Sequence, residues 1–240
     1  MSVVLTYAIL HQIAPQCRIA ASLVDPLNKY LPEYGITSLL RMDHFLGQAA
    51  EESAGFATLT EYASGREYEW RRDLGNTQAG DGVRYKGRGI FQLTGRANYA
   101  RMSLILGIDL INNPELAATA DIAVRVACEY WKTHGLSALA DNDDLEGITR
   151  RINGGLNGLA DRTLYTNRAD MALSTLFPKD EEGRIADNKG LDTPAPVVVA
   201  AKPAEAPVVV PEVKVVPKPV TVATVTDSPT FFQKLGNLFS

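Results

Sequence analysis

Glu51 and Glu52 close the apolar run Phe-Leu-Gly-Gln-Ala-Ala, and Glu61 follows Glu52 by nine residues. Farther on, residues 85–99 read Tyr-Lys-Gly-Arg-Gly-Ile-Phe-Gln-Leu-Thr-Gly-Arg-Ala-Asn-Tyr. Three glycines there (Gly87, Gly89, Gly95) let the backbone turn tightly or approach a ligand closely. Gln92, Thr94 and Asn98 carry side chains suited to hydroxyls, amides and water. Carboxylates upstream of such a platform suggest acid–base chemistry on a sugar. Breaking a glycosidic bond takes one carboxylic acid to protonate the leaving oxygen, and a second carboxylate to attack the sugar or activate water. Glu67 and Glu69 add two further carboxylates between Glu61 and the platform. A third motif, Ile152–Arg162, combines Gly154, Gly155 and Gly158 with Asn153 and Asn157. Its glycines expose backbone, and its amides suit N-acetyl groups.

Elements must position these residues. Leu39, Met42, Phe45, Leu46 and Ala49 recur at spacings of three and four, which predicts a helix over 39–50 with one apolar face. Residues 4–14 read as the first helix. Ile122, Val126, Tyr130 and Trp131 mark a helix over 117–134, ending before Gly135, and Asn112-Asn113-Pro114 marks a turn that leads into it. Residues 145–152 and 162–176 read as two more. Residues 62–89 are rich in glycine and charge and lack periodicity, so they read as a long loop or short hairpin. Long ordered loops in compact domains are often functional.

The blocks Phe45–Phe56, Tyr85–Tyr99 and Ile152–Arg162 resemble the three signature blocks of glycoside hydrolase family 19, in its order and at its approximate spacing. That family holds plant and bacterial chitinases and many phage endolysins, and the likeness is strongest to the compact phage type that cuts peptidoglycan. The resemblance covers roughly residues 3–177. It implies an all-α, lysozyme-like, two-lobed domain with a substrate groove. It also implies an inverting reaction, whose two carboxyls stand roughly 6.5–9.5 Å apart. On the family pattern Glu52 aligns with the general acid and Glu61 with the base; Glu69, and then Glu67, are the alternative bases. Thr94 aligns with the hydroxyl that positions the catalytic water. Gln92, Asn98 and Asn153 align with substrate-contacting positions, and Arg162 with an arginine that steadies the base. The chain departs from the pattern at Glu51, where the family usually has histidine. Two adjacent helix residues do not share a face, so only a mild effect of Glu51 on Glu52 is expected.

Composition bounds the partners. The chain has 240 residues, a net charge of −4 and 45% hydrophobic residues. The charge gives no global basic footprint for nucleic acid. Any attraction to an anionic wall must come from a local cluster: Arg66, Arg71, Arg72, Arg84, Lys86, Arg88, Arg96 and Arg101. The competing reading is a set of arginines with structural carboxylate partners. His11, His44 and His134 share no ligand spacing, so no metal site and no cofactor are expected. Cys17 and Cys128, both in apolar surroundings, are expected as reduced thiols rather than a bridge. The N-terminal residues show no basic region or cleavage site of a signal peptide. By the resemblance, a monomeric enzyme waits in the host cytoplasm and reaches glycan strands of peptidoglycan (or chitin) at lysis.

After residue 178 the character changes. Residues 194–229 hold eight of the thirteen prolines and no aromatic residue. Such a stretch favours extended polyproline-like chain over a core. The expected division is therefore a catalytic domain over 1–178, a disordered Pro/Val/Ala-rich tether over 179–229, and a short amphipathic segment over 230–240. In the last, Phe231, Phe232, Leu235, Leu238 and Phe239 recur at helical spacing, a pattern suited to a membrane surface. Truncation near residue 190 should leave activity on soluble glycan oligomers nearly unchanged. Removal of 230–240 alone should lower binding to lipid vesicles, as measured by co-sedimentation.

Overall fold

A computed structural model describes residues 3–177. The expected tether and the terminal segment lie outside the described residues. The described chain is mainly helical: α1 (Tyr7–Ile13), α2 (Ala20–Glu33), α3 (Leu39–Glu52), α4 (Asp81–Arg84), α5 (Arg96–Leu106), α6 (Ala120–Thr133), α7 (Leu136–Ala140), α8 (Leu145–Asn153) and α9 (Leu159–Leu173). No helix among the described residues is long and apolar enough to cross a membrane.

Helix α3 organises the rest. It starts at Ser38, whose hydroxyl caps the Arg41 N–H at 3.2 Å. The sequence pattern predicts one buried face, yet every residue from Met42 to Ala50 is buried. A helix hidden on all sides is a core helix, and its polar side chains must then find partners inside. His44 Nε2 meets Asp143 Oδ1 at 2.9 Å, and Gln48 reaches both Thr149 and Arg162. The most extensive packing of α3 is against α9. Gly47 makes that crossing close: a Cβ there would lie 2.1 Å from Thr166 Oγ1 and 2.8 Å from its backbone nitrogen.

An aromatic cluster joins α3 to the glycine-rich platform and to α6. Phe45 meets Phe91 edge-on at 5.7 Å and Trp131 at 5.3 Å, and Phe91 meets Tyr130 at 5.6 Å. Each such pair adds about 0.5–1.5 kcal/mol beyond area burial. The platform is thereby fixed to the helix that carries Glu52.

Some elements differ from the sequence expectation. Helix α2 contains Pro26 and Pro32, which argue locally against a helix; burial of Leu23, Leu27, Tyr30 and Leu31 overrides them. Helix α5 was not expected and buries only Tyr99, Met102 and Leu106. Helix α9 begins three residues before the expected start and ends at Leu173, not residue 176. Residues 62–89 are, as expected, a long loop rather than the alternative, a short hairpin. They fold into two 3-10 turns (Arg66–Tyr68 and Arg72–Leu74) and α4, with single antiparallel bridges Thr60–Arg88 and Arg88–Leu93 at their edge. Both cysteines are free thiols. A cavity of about 100 Å³ between α2 and the start of the chain, of mixed lining that includes Val3, Leu27, Asn28, Leu31, Thr37 and Met42, shares no residue with the carboxylate motifs.

Asp43 is the costly residue of α3. It is 3% exposed. Burial pushes its carboxyl up to about 8, and the Asp170 and Asp143 charges push the same way against the His44 N–H. At pH 7 the folded protein therefore holds a proton that the unfolded chain has released, so this group lowers stability as pH rises from about 4 toward 8. Asp43→Asn should raise stability by roughly 2 kcal/mol at pH 7, with the gain vanishing below about pH 4. Thermal melts at both pH values check this.

Candidate active site

Glu52 sits on the last turn of α3 and is 1% exposed. Arg162, on the first turn of α9, is also fully buried, and its Nη2 meets Glu52 Oε1 at 2.6 Å. The other guanidinium nitrogens donate to Gln48 Oε1 and, at 3.2 Å, to Asn157 O. Burial raises the Glu52 pKa, and the Arg162 charge and hydrogen bond oppose it; burial wins. The second carboxyl oxygen, Oε2, is buried with no hydrogen-bond partner among the described residues. A protonated Oε2 is the form that such a setting favours.

Glu61 is held by different means. It leaves α3 behind and lies beside the platform, with its backbone N–H donating to Gly87 O at 3.1 Å. Tyr68 donates its hydroxyl to Glu61 Oε2 at 3.0 Å, and Lys86 Nζ donates to the carbonyls of Glu61 and Ala63. The carboxyl is 3% exposed, and Oε1 has no partner among the described residues. Burial raises its pKa, while the Gly87 backbone and Tyr68 restrain the rise. Gly87 is required by approach: a Cβ there would lie 2.5 Å from Gln92 Oε1 and 3.0 Å from Glu61 Oε2. Gln92 is buried with φ of +53°. Its amide nitrogen donates to Gly89 O, which leaves Oε1 unpartnered beside Glu61. Two groups named from sequence thus meet at one gap. The Glu52 charge is also felt by Tyr130, which packs on Phe91 next to Gln92.

The remaining candidates divide. Thr94 is buried, and its hydroxyl donates to Gln92 O at 3.0 Å. Asn98 donates to Thr94 O at 2.8 Å, and Asn153 to Asn157 O at 2.9 Å, so both amides serve local backbone. Arg162 pairs with the expected acid, Glu52, rather than with Glu61. Glu69 accepts from Gly80 N at 2.6 Å through one oxygen and from Gly82 N at 2.8 Å through the other. It is spent on holding the start of α4. Glu67 is exposed. Glu51 does not simply face solvent: its carboxyl lies against Gly158, and burial, opposed by Arg162, lifts its pKa to about 7. Sequence reasoning missed Tyr68 and Gln48, since neither an aromatic in a loop nor an amide in a helix announces a carboxylate or guanidinium partner. The arginine cluster is mostly structural. Arg71 pairs with Asp73 and Arg96 with Asp81, while Arg84, Lys86 and Arg88 donate to backbone carbonyls. Among the described residues, no group of three or more His, Cys, Asp or Glu side chains could hold a metal ion.

The family model described as chitinase class I, Glyco_hydro_19, matches residues 40–142. That span contains Glu52, Glu61 and the platform. Over residues 40–142 the chain is thus similar to glycoside hydrolase family 19. A glycosyl hydrolase family 19 domain-containing protein of Haemophilus influenzae is 42% identical over 102 residues, 42% of this chain and 49% of that protein. The acidic 27 kDa endochitinase of Solanum lycopersicum is 38% identical over 90 residues, 37% of this chain and 35% of that protein. These matches span half or less of the curated relatives. The crystal structure of chitinase C from Streptomyces griseus superposes with a TM-score of 0.59 at 22% identity, covering 72% of this chain and 94% of that one. It shares the fold of the family 19 domain, which is all-α and lysozyme-like.

After the Gly87 backbone, the Tyr68 hydroxyl is the next largest restraint on the rise of the Glu61 carboxyl. Tyr68→Phe should raise the Glu61 pKa further, because the bond that favours the ionised form is lost. Carboxyl carbon NMR titration of Glu61 measures it; an unchanged midpoint would show that the bond contributes nothing.

Proposed function

We propose that this domain hydrolyses β-1,4 bonds between N-acetylated amino sugars of bacterial peptidoglycan by an inverting reaction, as an endolysin that opens the host wall at lysis. The observation that carries the reading is a pair of carboxyls in contrasting buried settings, each with one unpartnered oxygen. Glu52 acts as the acid: burial shifts it toward the protonated form, against the pull of Arg162, which holds Oε1 in place. As the leaving oxygen takes that proton, the forming carboxylate already faces a guanidinium, so the charge is stabilised as it develops. Glu61 acts as the base on a water, with Gln92 beside it in space and Thr94 hydrogen-bonded to the Gln92 carbonyl. An inverting reaction requires the two carboxyls to stand roughly 6.5–9.5 Å apart, with room for a water beside Glu61. Glu69, with both oxygens bonded to backbone, is the weaker base candidate. Glu52 and Glu61 are almost wholly enclosed, so a sugar reaches them only as the surrounding side chains give way.

A chitin polymer is the second reading, favoured by the endochitinase names of the plant relatives. The two share the amino-sugar repeat and the acid–base step, so substrate preference separates them. On either, the enzyme needs no cofactor. In the endolysin reading the protein crosses to the wall when the inner membrane is breached, and residues 230–240 supply a membrane contact.

Glu52→Gln should lower turnover by roughly 10²-fold or more with the fold intact, because glutamine keeps the bond to Arg162 but delivers no proton. Glu61→Gln should cost more than Glu67→Gln or Glu69→Gln. Because burial raises both carboxyls above 4.5, both limbs of the bell-shaped rate profile should lie above that pH. Parallel digestion of peptidoglycan and chitin oligomers, with new reducing ends identified by mass spectrometry, tests the reading. Near-wild-type turnover by Glu52→Gln would overturn it.

A further inference from the structure

Tyr68, Glu69, Trp70 and Arg71 form a type II turn. Arg71 N–H donates to Tyr68 O at 3.2 Å, Glu69 has φ −62° and ψ 132°, and Trp70 has φ +60°. The third position of such a turn asks for glycine, or less often asparagine, because φ is positive there. A tryptophan in it is strained. Its indole is nonetheless 60% exposed, so no core packing accounts for its presence.

The other three residues of the turn are tied down. Tyr68 donates to the Glu61 carboxylate, and its carbonyl accepts from Asn76 Nδ2 at 2.8 Å. Glu69 is clamped by two backbone N–H groups of the α4 start. Arg71 makes a two-pronged pair with Asp73 at 2.8 and 2.5 Å. Asn76 also accepts from Arg96 N–H at 2.8 Å, which joins the turn to the first residue of α5, inside the platform segment. The turn is thus a rigid mount, anchored to the candidate base on one side and to the platform on the other, and it presents a large flat ring to solvent. Tyr62, next to Glu61, is a second exposed aromatic in the same stretch, at 70%.

We propose that Trp70 is a stacking platform for a sugar ring of the glycan, outside the bond-breaking residues. A β-linked amino sugar presents a face of C–H groups, which matches an aromatic face, and the indole N–H adds a donor for a hydroxyl or acetamide oxygen. The turn holds the Trp70 backbone in advance, so only the side-chain torsions of the indole remain to be ordered when the sugar binds. This inference rests on the glycan-hydrolase reading above.

The chain has two tryptophans, and the other, Trp131, is 1% exposed and donates to Ser137 Oγ at 3.0 Å. Emission changes on ligand binding therefore report Trp70. The experiment titrates the full-length Glu52→Gln variant with the N-acetylglucosamine hexamer and with peptidoglycan glycan fragments, by fluorescence and by calorimetry together. The expected result is a saturable blue shift whose midpoint equals the calorimetric Kd. Adding Trp70→Gly should abolish the shift and weaken Kd by about tenfold. Its melting temperature should be equal or higher, since glycine relieves the positive φ. Trp70→Phe should restore most of the affinity. Calorimetric binding with no emission change, or an unchanged Kd in Trp70→Gly, overturns the platform and leaves the hydrolase reading standing. If the wild-type chain neither cleaves nor binds either glycan, both fall together.

Discussion

One buried ion pair sets the terms for this molecule. Arg162 and Glu52 meet at 2.6 Å with neither side chain reaching water. Removing both charges from solvent costs several kcal/mol per ion, and their attraction offsets that only when the remaining donors and acceptors are satisfied. Arg162 meets the condition through Gln48 and Asn157. Glu52 does not, since Oε2 is left over. The pair therefore joins α9 to α3 about one turn from their close crossing at Gly47 and Thr166, and it leaves one carboxyl oxygen in a setting that favours a proton. Structural and chemical demands fall on the same residue, and the incomplete satisfaction of Glu52 is the part that packing alone would not have retained.

The second carboxyl is placed by a contrasting device. Glu61 belongs to irregular chain, and its position depends on a hydroxyl from Tyr68, a backbone carbonyl at Gly87 and a lysine that binds the Glu61 carbonyl rather than its carboxylate. No cation pairs with its carboxylate among the described contacts. Two carboxyls raised by burial but differing in their partners can divide acid and base roles between them, because it is the environment that separates their titration. The loop over residues 62–89 is ordered by charges spent internally: Asp81 with Arg96, Asp73 with Arg71, Glu69 with the α4 start. The local abundance of arginine thus reads chiefly as the means of ordering a loop that buries few apolar side chains, Tyr68, Leu74 and Tyr85 among them. It leaves little of the cluster for long-range attraction to an anionic wall.

What the sequence determined by itself was the list of chemical parts and the helical class. Periodicity marked α3, α6, α8 and α9, because an apolar stripe at 3.6 residues is a local property. Glycine density marked the platform, because backbone approach at Gly87 needs a missing Cβ. The order of three motifs carried the likeness to family 19. Tertiary structure alone decided the partners. The pattern of α3 showed one apolar face, but His44, Gln48 and Glu52 are buried too, through contacts with residues 99 to 114 positions away. Arg162 was legible as a site residue but not as the mate of Glu52, since a charge on one helix does not name its partner on another. Glu69 and Glu61 looked alike in sequence, and only the fold turned one toward the backbone amides of α4 and the other toward Tyr68 and Gln92. Helix α2, with two internal prolines, went unread for the same reason: burial in the core outweighs a local penalty, and burial is a property of the assembled chain.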